Sequence, residues 1–172
     1  RALMERHCHR DRSAVGSFRW TAPVREAWET TAKAARALKA DKIIFQCPAS
    51  FRPTEENKDR LREFFSRINR VGFTFIWEPR GQWEDTEIRT LCEELDLIHC
   101  TDPLKAQPVT SGLRYFRLHG PDKPYKGSYS DAQLEQLTRY AALPGEEQTA
   151  YFMFNNIRMF DDADRFRRLL EG

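Results

Sequence analysis

Short runs of apolar residues alternate along this chain with longer segments whose apolar residues recur at helical spacing. The apolar runs predict β-strands at 42–48, 73–79, 97–101, 113–120 and 149–156. The amphipathic segments predict helices at 24–40, 54–70, 84–95, 131–142 and 161–170. Because strands and helices alternate and no two strands follow one another over a long stretch, the pattern indicates an α/β protein with a parallel sheet flanked by helices.

Local signals support several of these boundaries. Pro23 stands where a proline favours the start of a helix, and Thr54 is a good N-cap for the next one. Ser130 and Gln133 have the spacing of a capping box. The connection at 102–112 is rich in proline and glycine and too short for a proper helix, so two strands are expected to follow each other there.

Composition indicates one domain. Of the 172 residues, 40% are hydrophobic and 31% are charged, which is typical of a globular chain. We interpret 1–19 as a basic N-terminal segment and 20–172 as the folded domain. A net charge of +2 gives no support to nucleic acid as a partner, and no apolar run is long enough to cross a membrane. With no secretory signal and no CxxC pair among the cysteines, the expected location is the cytoplasm, with reduced thiols.

The segments at the ends of the predicted strands carry a resemblance. FQCPASFRPTEEN, FIWEPRGQW, HCTDP, YFRLHG and YFMFNNIRMFDDA occur in this order between about Phe18 and Leu170. Together they resemble the motifs of the YecE-like family, domain of unknown function 72. The family has no settled activity, so the resemblance implies an architecture and no reaction.

That architecture is a TIM-like (β/α) barrel, which in full has eight strands. By the family's pattern, the strands of this chain are the fourth to the eighth, and the first three are absent. The first and last strands, KIIFQC and AYFMFN, are apolar, and after the initial Lys42 no charge or proline protects them within the strand. If the chain is truncated in this way, we expect it to associate with itself.

Alternation within the strands predicts a polar cluster. Tyr115, Arg117 and His119 share one face of their strand, and the apolar residues between them share the other. The outer face of a barrel strand packs under helices, so Arg117 and His119 are expected to point inward. The same reasoning places Glu78 inward. Glu78 and Arg117 are then either a buried structural ion pair or part of a functional pocket at the C-terminal mouth.

Further polar residues are expected at the same level, because each lies at or just past the C-terminal end of a strand. They are Gln46, Arg80, Asp102, Asn155 and Asn156, and Trp83 follows closely enough to line the site. Two arginines with neighbouring amides suit a phosphate or carboxylate group. We therefore expect an enzyme acting on a small anionic substrate, with Glu78 and His119 as catalytic residues. The alternative is a non-catalytic module that binds a metabolite or nucleic acid.

The sequence leaves the cofactor unknown. The sequence has no P-loop, no GxGxxG and no GxSxG motif. A divalent metal held by Glu78, Asp102 and His119 is an alternative, although parity leaves open whether Asp102 or His99 turns inward. The segment 120–129, with its glycines, prolines and lysines, is either a lid over the mouth or a surface loop.

Overall fold

The structure, a computed structural model, describes residues 14–121, 125–141 and 149–172. The basic residues at 1–13 therefore lie outside the described part of the chain. The described elements alternate as the sequence predicts. In chain order they are α1 (Ala22–Ala37), β1 (Lys42–Gln46), α2 (Glu55–Arg67), β2 (Thr74–Glu78), α3 (Asp85–Leu95), β3 (Ile98–Thr101), β4 (Arg114–Leu118), α4 (Asp131–Ala141), β5 (Ala150–Phe154) and α5 (Met159–Glu171).

The strands form one parallel sheet in the order β1-β2-β3-β4-β5, which is also their order in the sequence. The sheet is strongly curled. Lys42 of β1 has its ammonium 4.9 Å from the ring centre of Tyr151 on β5, so inward side chains of the two edge strands meet. Arg117 of β4 likewise reaches Gln46 of β1. The fold is thus a half-barrel of five parallel strands, the coarse form of the predicted partial TIM-like barrel.

The capping signals act as predicted. The Thr54 hydroxyl accepts a hydrogen bond from the Asn57 amide at 3.3 Å, which satisfies one of the free N–H groups of the first turn of α2. Ser130 and Gln133 exchange side-chain to backbone hydrogen bonds at the start of α4. The connection between β3 and β4 contains turns and no helix, which confirms the expectation from its length and composition.

Apolar side chains on the outer face of the sheet divide into two buried clusters. The first lies under α1, α2 and α3 and includes Trp28, Phe64 and Trp77. The second lies under α4 and α5 and includes Leu118 and Phe166. Trp77 therefore faces outward, as expected for the neighbour of the inward-facing Glu78. Within the described residues, no helix is long and apolar enough to cross a membrane.

Candidate functional site

A cavity of about 480 Å³ opens at the carboxyl ends of β2, β3 and β4. Most of the residues that line it have polar or charged side chains. Its lining residues are Glu78, Pro79, Arg80, Gly81, Cys100, Thr101, Asp102, Lys105, Arg117, His119 and Tyr125. In open and closed parallel α/β sheets, the carboxyl ends of the strands are the usual place for ligands, so this cavity is the candidate functional site.

Glu78, the last residue of β2, is the centre of the site. Its side chain is only 7% exposed, and both of its carboxylate oxygens are bound by guanidinium groups. Arg117 donates through Nη1 to Oε2, and Arg80 donates through Nε to Oε1 at 2.9 Å. A buried carboxylate is tolerated only when it is paired in this way. The predicted meeting of Glu78 and Arg117 on the inner side of the sheet is confirmed.

The turn after β2 fixes the position of Arg80. Gly81 has φ +97°, a backbone angle that residues with a side chain rarely adopt. A Cβ at this position would also lie 2.7 Å from the backbone oxygen of Ala49. The turn therefore needs glycine, and the guanidinium of Arg80 is directed from it back toward the cavity. There Arg80 donates to Glu78 and also approaches His119.

His119 lies one residue past the end of β4, and its ring borders the cavity. Its Nε2 is 3.0 Å from Nη2 of Arg80. A guanidinium can only donate, so Nε2 accepts this hydrogen bond and the imidazole carries its proton on Nδ1. Burial lowers the pKa of His119 below its ordinary value, and the positive charges of Arg117 and Arg80 act in the same direction against the neighbouring acids. His119 is therefore neutral near pH 7.

The pairing of β3 decides between Asp102 and His99. His99 is in register with Trp77 and shares its outer face, where it is buried and its Nδ1 accepts from the Val109 amide at 3.3 Å. Asp102, three residues after His99, faces the opposite side of the sheet and lines the cavity. Lys105, three residues later, brings its ammonium within 3.2 Å of the Asp102 carboxylate. Lys105 was not anticipated, because it belongs to an irregular turn that no periodicity marks.

Tyr125 is a second cavity residue that the sequence pattern does not predict, although it lies in the segment 120–129, a lid or a surface loop by sequence. It has φ +65°, and its ring meets that of His119 nearly perpendicularly, with centres 5.5 Å apart. Its carbonyl accepts from the Ile157 amide at 3.0 Å, which ties it to the segment after β5. Tyr125 thus forms the outer wall of the cavity, against the histidine.

Asn156 supports that wall from outside the cavity. Its amide donates to Asp162 at 2.7 Å and to the carbonyl of Gly127 at 2.9 Å. Asp162 is fully buried and also accepts from the Tyr129 amide at 3.1 Å and from Arg165 at 2.9 Å. This network fixes the loop before α4 to α5. It satisfies the Asp162 carboxylate and the Asn156 N–H groups, whereas the buried Oδ1 of Asn156 has no hydrogen-bond partner among the described residues.

Three other predicted site residues lie at the margin of the cavity or away from it. Gln46 accepts a hydrogen bond from Arg117 at 2.8 Å and so joins the cluster from β1. Asn155 is half-buried and bonds through its backbone amide to the carbonyl of Leu118 at 2.8 Å. Trp83 is buried in the first cluster, where its indole donates to the carbonyl of Phe51 at 3.0 Å. The aromatic surface of Trp83 therefore serves the core.

The structure does not bring the three proposed metal ligands together. Within the described residues, no group of three or more His, Cys, Asp and Glu side chains has a geometry suited to a metal ion. Arg80 is the physical reason, since its guanidinium bonds to both Glu78 and His119 and occupies the position between them. The nearest approach of Glu78 and His119 is 3.9 Å.

Comparisons with known proteins give the family. A comparison with curated proteins found no match. The structure is similar to the crystal structure of a DUF72 family protein from Enterococcus faecalis V583, with a TM-score of 0.72 and 14% sequence identity over 96% of this chain and 70% of the other. That likeness shows the fold. The family model described as "Protein of unknown function DUF72" matches residues 6–172. The chain therefore belongs to the DUF72 family, which is the YecE-like family that its strand-end motifs resemble.

Proposed function

We propose that this chain is an enzyme that binds a small phosphate- or carboxylate-bearing compound in the cavity at the carboxyl ends of β2–β4. The observation that carries the proposal is the convergence of Arg80, Lys105 and Arg117 on one cavity of about 480 Å³. With His119 neutral, these three positive charges face two carboxylates among the described residues that line the cavity, those of Glu78 and Asp102. The excess of positive charge and the unused guanidinium donors favour an anion.

His119 is the proposed acid–base group. Its Nε2 lone pair faces Arg80 and becomes available when a ligand anion draws the guanidinium toward itself. A neutral imidazole beside a bound anion can then accept a proton from the ligand. Glu78 holds both arginines in place before the ligand arrives, and its carboxylate can stabilise the imidazolium formed by this transfer, since Oε1 lies 3.9 Å from Nε2.

Binding is tested first, by isothermal titration calorimetry with inorganic phosphate and with acetate. Arg80→Gln should weaken the binding of the preferred anion about 10- to 100-fold, the loss expected for one hydrogen bond to a charged group. Arg62→Gln is the matched control, because Arg62 is paired with Glu94 on the protein exterior, away from the cavity. Equal affinities for the two variants would contradict the proposed site.

A non-catalytic metabolite-binding module is the second candidate, and one observation favours it. Both oxygens of Glu78 are engaged by arginines, so this carboxylate is not a free base. The two candidates differ in the effect of His119→Asn. For an enzyme, turnover of a substrate found by screening phosphoesters and hydroxy acids should fall at least 100-fold with little change in binding, in the range of one acid–base group. A binding module should show no turnover in either protein.

A further inference from the structure

One carboxylate oxygen of Asp102, a residue that lines the candidate site, has no hydrogen-bond partner among the described residues. The side chain is 9% exposed, and Oδ1 accepts from the Leu104 amide at 3.1 Å. The other oxygen, Oδ2, is buried and has no hydrogen-bond partner among the described residues. Lys105 lies 3.2 Å from Oδ2, within ion-pair range, but the two groups lack hydrogen-bond geometry and the lysine side chain is 52% exposed.

An orphan carboxylate oxygen in a buried position is costly. Leaving a buried acceptor unsatisfied costs about 1–3 kcal/mol, and more when the group is charged. The backbone does not require this arrangement, because the turn from Asp102 to Lys105 is already closed by Oδ1 and by the carbonyl of Asp102, which accepts from the Lys105 amide at 2.9 Å. Oδ2 is closed off from solvent, with the half-exposed Lys105 side chain beside it. A ligand in the cavity therefore reaches this oxygen when Lys105 moves aside, and Oδ2 then has a free lone pair to accept a hydrogen bond.

We propose that the ligand of this site carries a hydroxyl group beside its anionic group. Asp102 selects for this hydroxyl by accepting a hydrogen bond from it through Oδ2. The inference rests on the proposed function and deepens it, since it restricts the substrate class to small hydroxylated anions. A hydroxyl fits better than an ammonium group as the donor, because Arg80, Lys105 and Arg117 already surround the cavity and repel a further cation.

Matched ligand pairs test the inference. Glycerol 3-phosphate and propyl phosphate have the same carbon chain and differ in hydroxyl groups, and lactate and propionate form the corresponding carboxylate pair. Calorimetry should show the hydroxylated member of at least one pair binding about 10-fold more tightly, the affinity equivalent of one satisfied buried acceptor. Asp102→Asn keeps an oxygen for the Leu104 amide and should reduce this preference to about threefold or less, and Asp102→Ala should abolish it.

Asp96→Asn is the control variant, because Asp96 is an exposed acid paired with Arg70 far from the cavity, and it should retain the full preference. Circular dichroism melts establish that each variant is folded. If the unhydroxylated anions bind and the hydroxylated ones bind no better, the selection by Asp102 is refuted while the anion site stands. A preference that persists in both Asp102 variants refutes it as well. If no member of either pair binds, the proposed function itself fails.

Discussion

Replacing Arg117 by leucine removes one of the two guanidinium groups that neutralise Glu78. The two side chains are 19% and 7% exposed, so their ion pair is largely desolvated. Breaking a buried pair by removing one partner costs about 3–5 kcal/mol when the remaining charge is left alone. Here Arg80 stays bound to the other carboxylate oxygen at 2.9 Å, so the negative charge of Glu78 keeps one of its two guanidinium partners. We expect Arg117→Leu to lower the free energy of unfolding by about 2–3 kcal/mol, somewhat less than the full cost of isolating the carboxylate.

The measurement is urea denaturation followed by far-UV circular dichroism, with linear extrapolation to water. Arg62→Leu is the control, because Arg62 is a more exposed arginine whose carboxylate partners are also exposed. It should change stability by less than about 1 kcal/mol, as is usual for surface ion pairs. Equal losses for the two variants would refute the reasoning, since they would mean that Glu78 does not depend on Arg117.

A double variant sharpens the test. Arg80→Leu combined with Arg117→Leu leaves the Glu78 carboxylate without a guanidinium, so the combined loss should exceed the sum of the two single losses by about 1–3 kcal/mol, the coupling expected within one charged network. A strictly additive result would show that the two arginines act independently and that water already satisfies the carboxylate.

Three further predictions concern pH, metal ions and assembly. Burial lowers the pKa of His99 to about 4 from an ordinary 6.5, so between these values the unfolded chain binds a proton that the folded chain does not. Stability should therefore fall by about 3 kcal/mol as the pH falls from 6.5 to 4, and an unchanged slope in His99→Gln would contradict this assignment. Millimolar Mg²⁺, Mn²⁺ or Zn²⁺ should not raise the melting temperature, because Arg80 stands between Glu78 and His119; a concentration-dependent rise would restore the metal hypothesis. Since β1 and β5 each have one neighbour in the described sheet, sedimentation velocity should show concentration-dependent association, and a monomer at every concentration would overturn this expectation.

The positions of the helices and strands, and the side of the sheet that Glu78 and Arg117 face, were predictable from the sequence. Apolar runs and caps located the elements of the described fold, and strand alternation alone brought Glu78 and Arg117 to the same interior. Alternation works here because one face of each strand packs under helices, which leaves no choice about where the charged residues go.

The rest of the site depends on irregular backbone, which has no period. Lys105 lies in a turn and Tyr125 in a loop with a positive φ, so no pattern signalled that they line the cavity. The position of Arg80 between Glu78 and His119 follows from the turn at Gly81 and its close approach to the neighbouring loop. Asn156 has the right position in sequence, but the buried Asp162 attracts its amide away from the cavity.

The division of the outer core into two clusters has a consequence for how this protein unfolds. The first cluster includes Trp28, Trp77 and Trp83, whereas the second includes no tryptophan. Tryptophan fluorescence therefore follows the first half of the chain, while far-UV circular dichroism follows both halves.

The candidate site lies where these halves meet. Glu78 comes from the strand that carries Trp77, and Arg117 precedes Leu118 of the second cluster. The ion pair between them thus links the part of the chain that packs in the first cluster to the part that packs in the second. A ligand held by residues of both strands adds a second link. The contacts that bind an anion would then also make the two parts unfold together. The fluorescence and dichroism transitions should coincide when the cavity is filled, and they should separate when Arg117→Leu removes the ion pair.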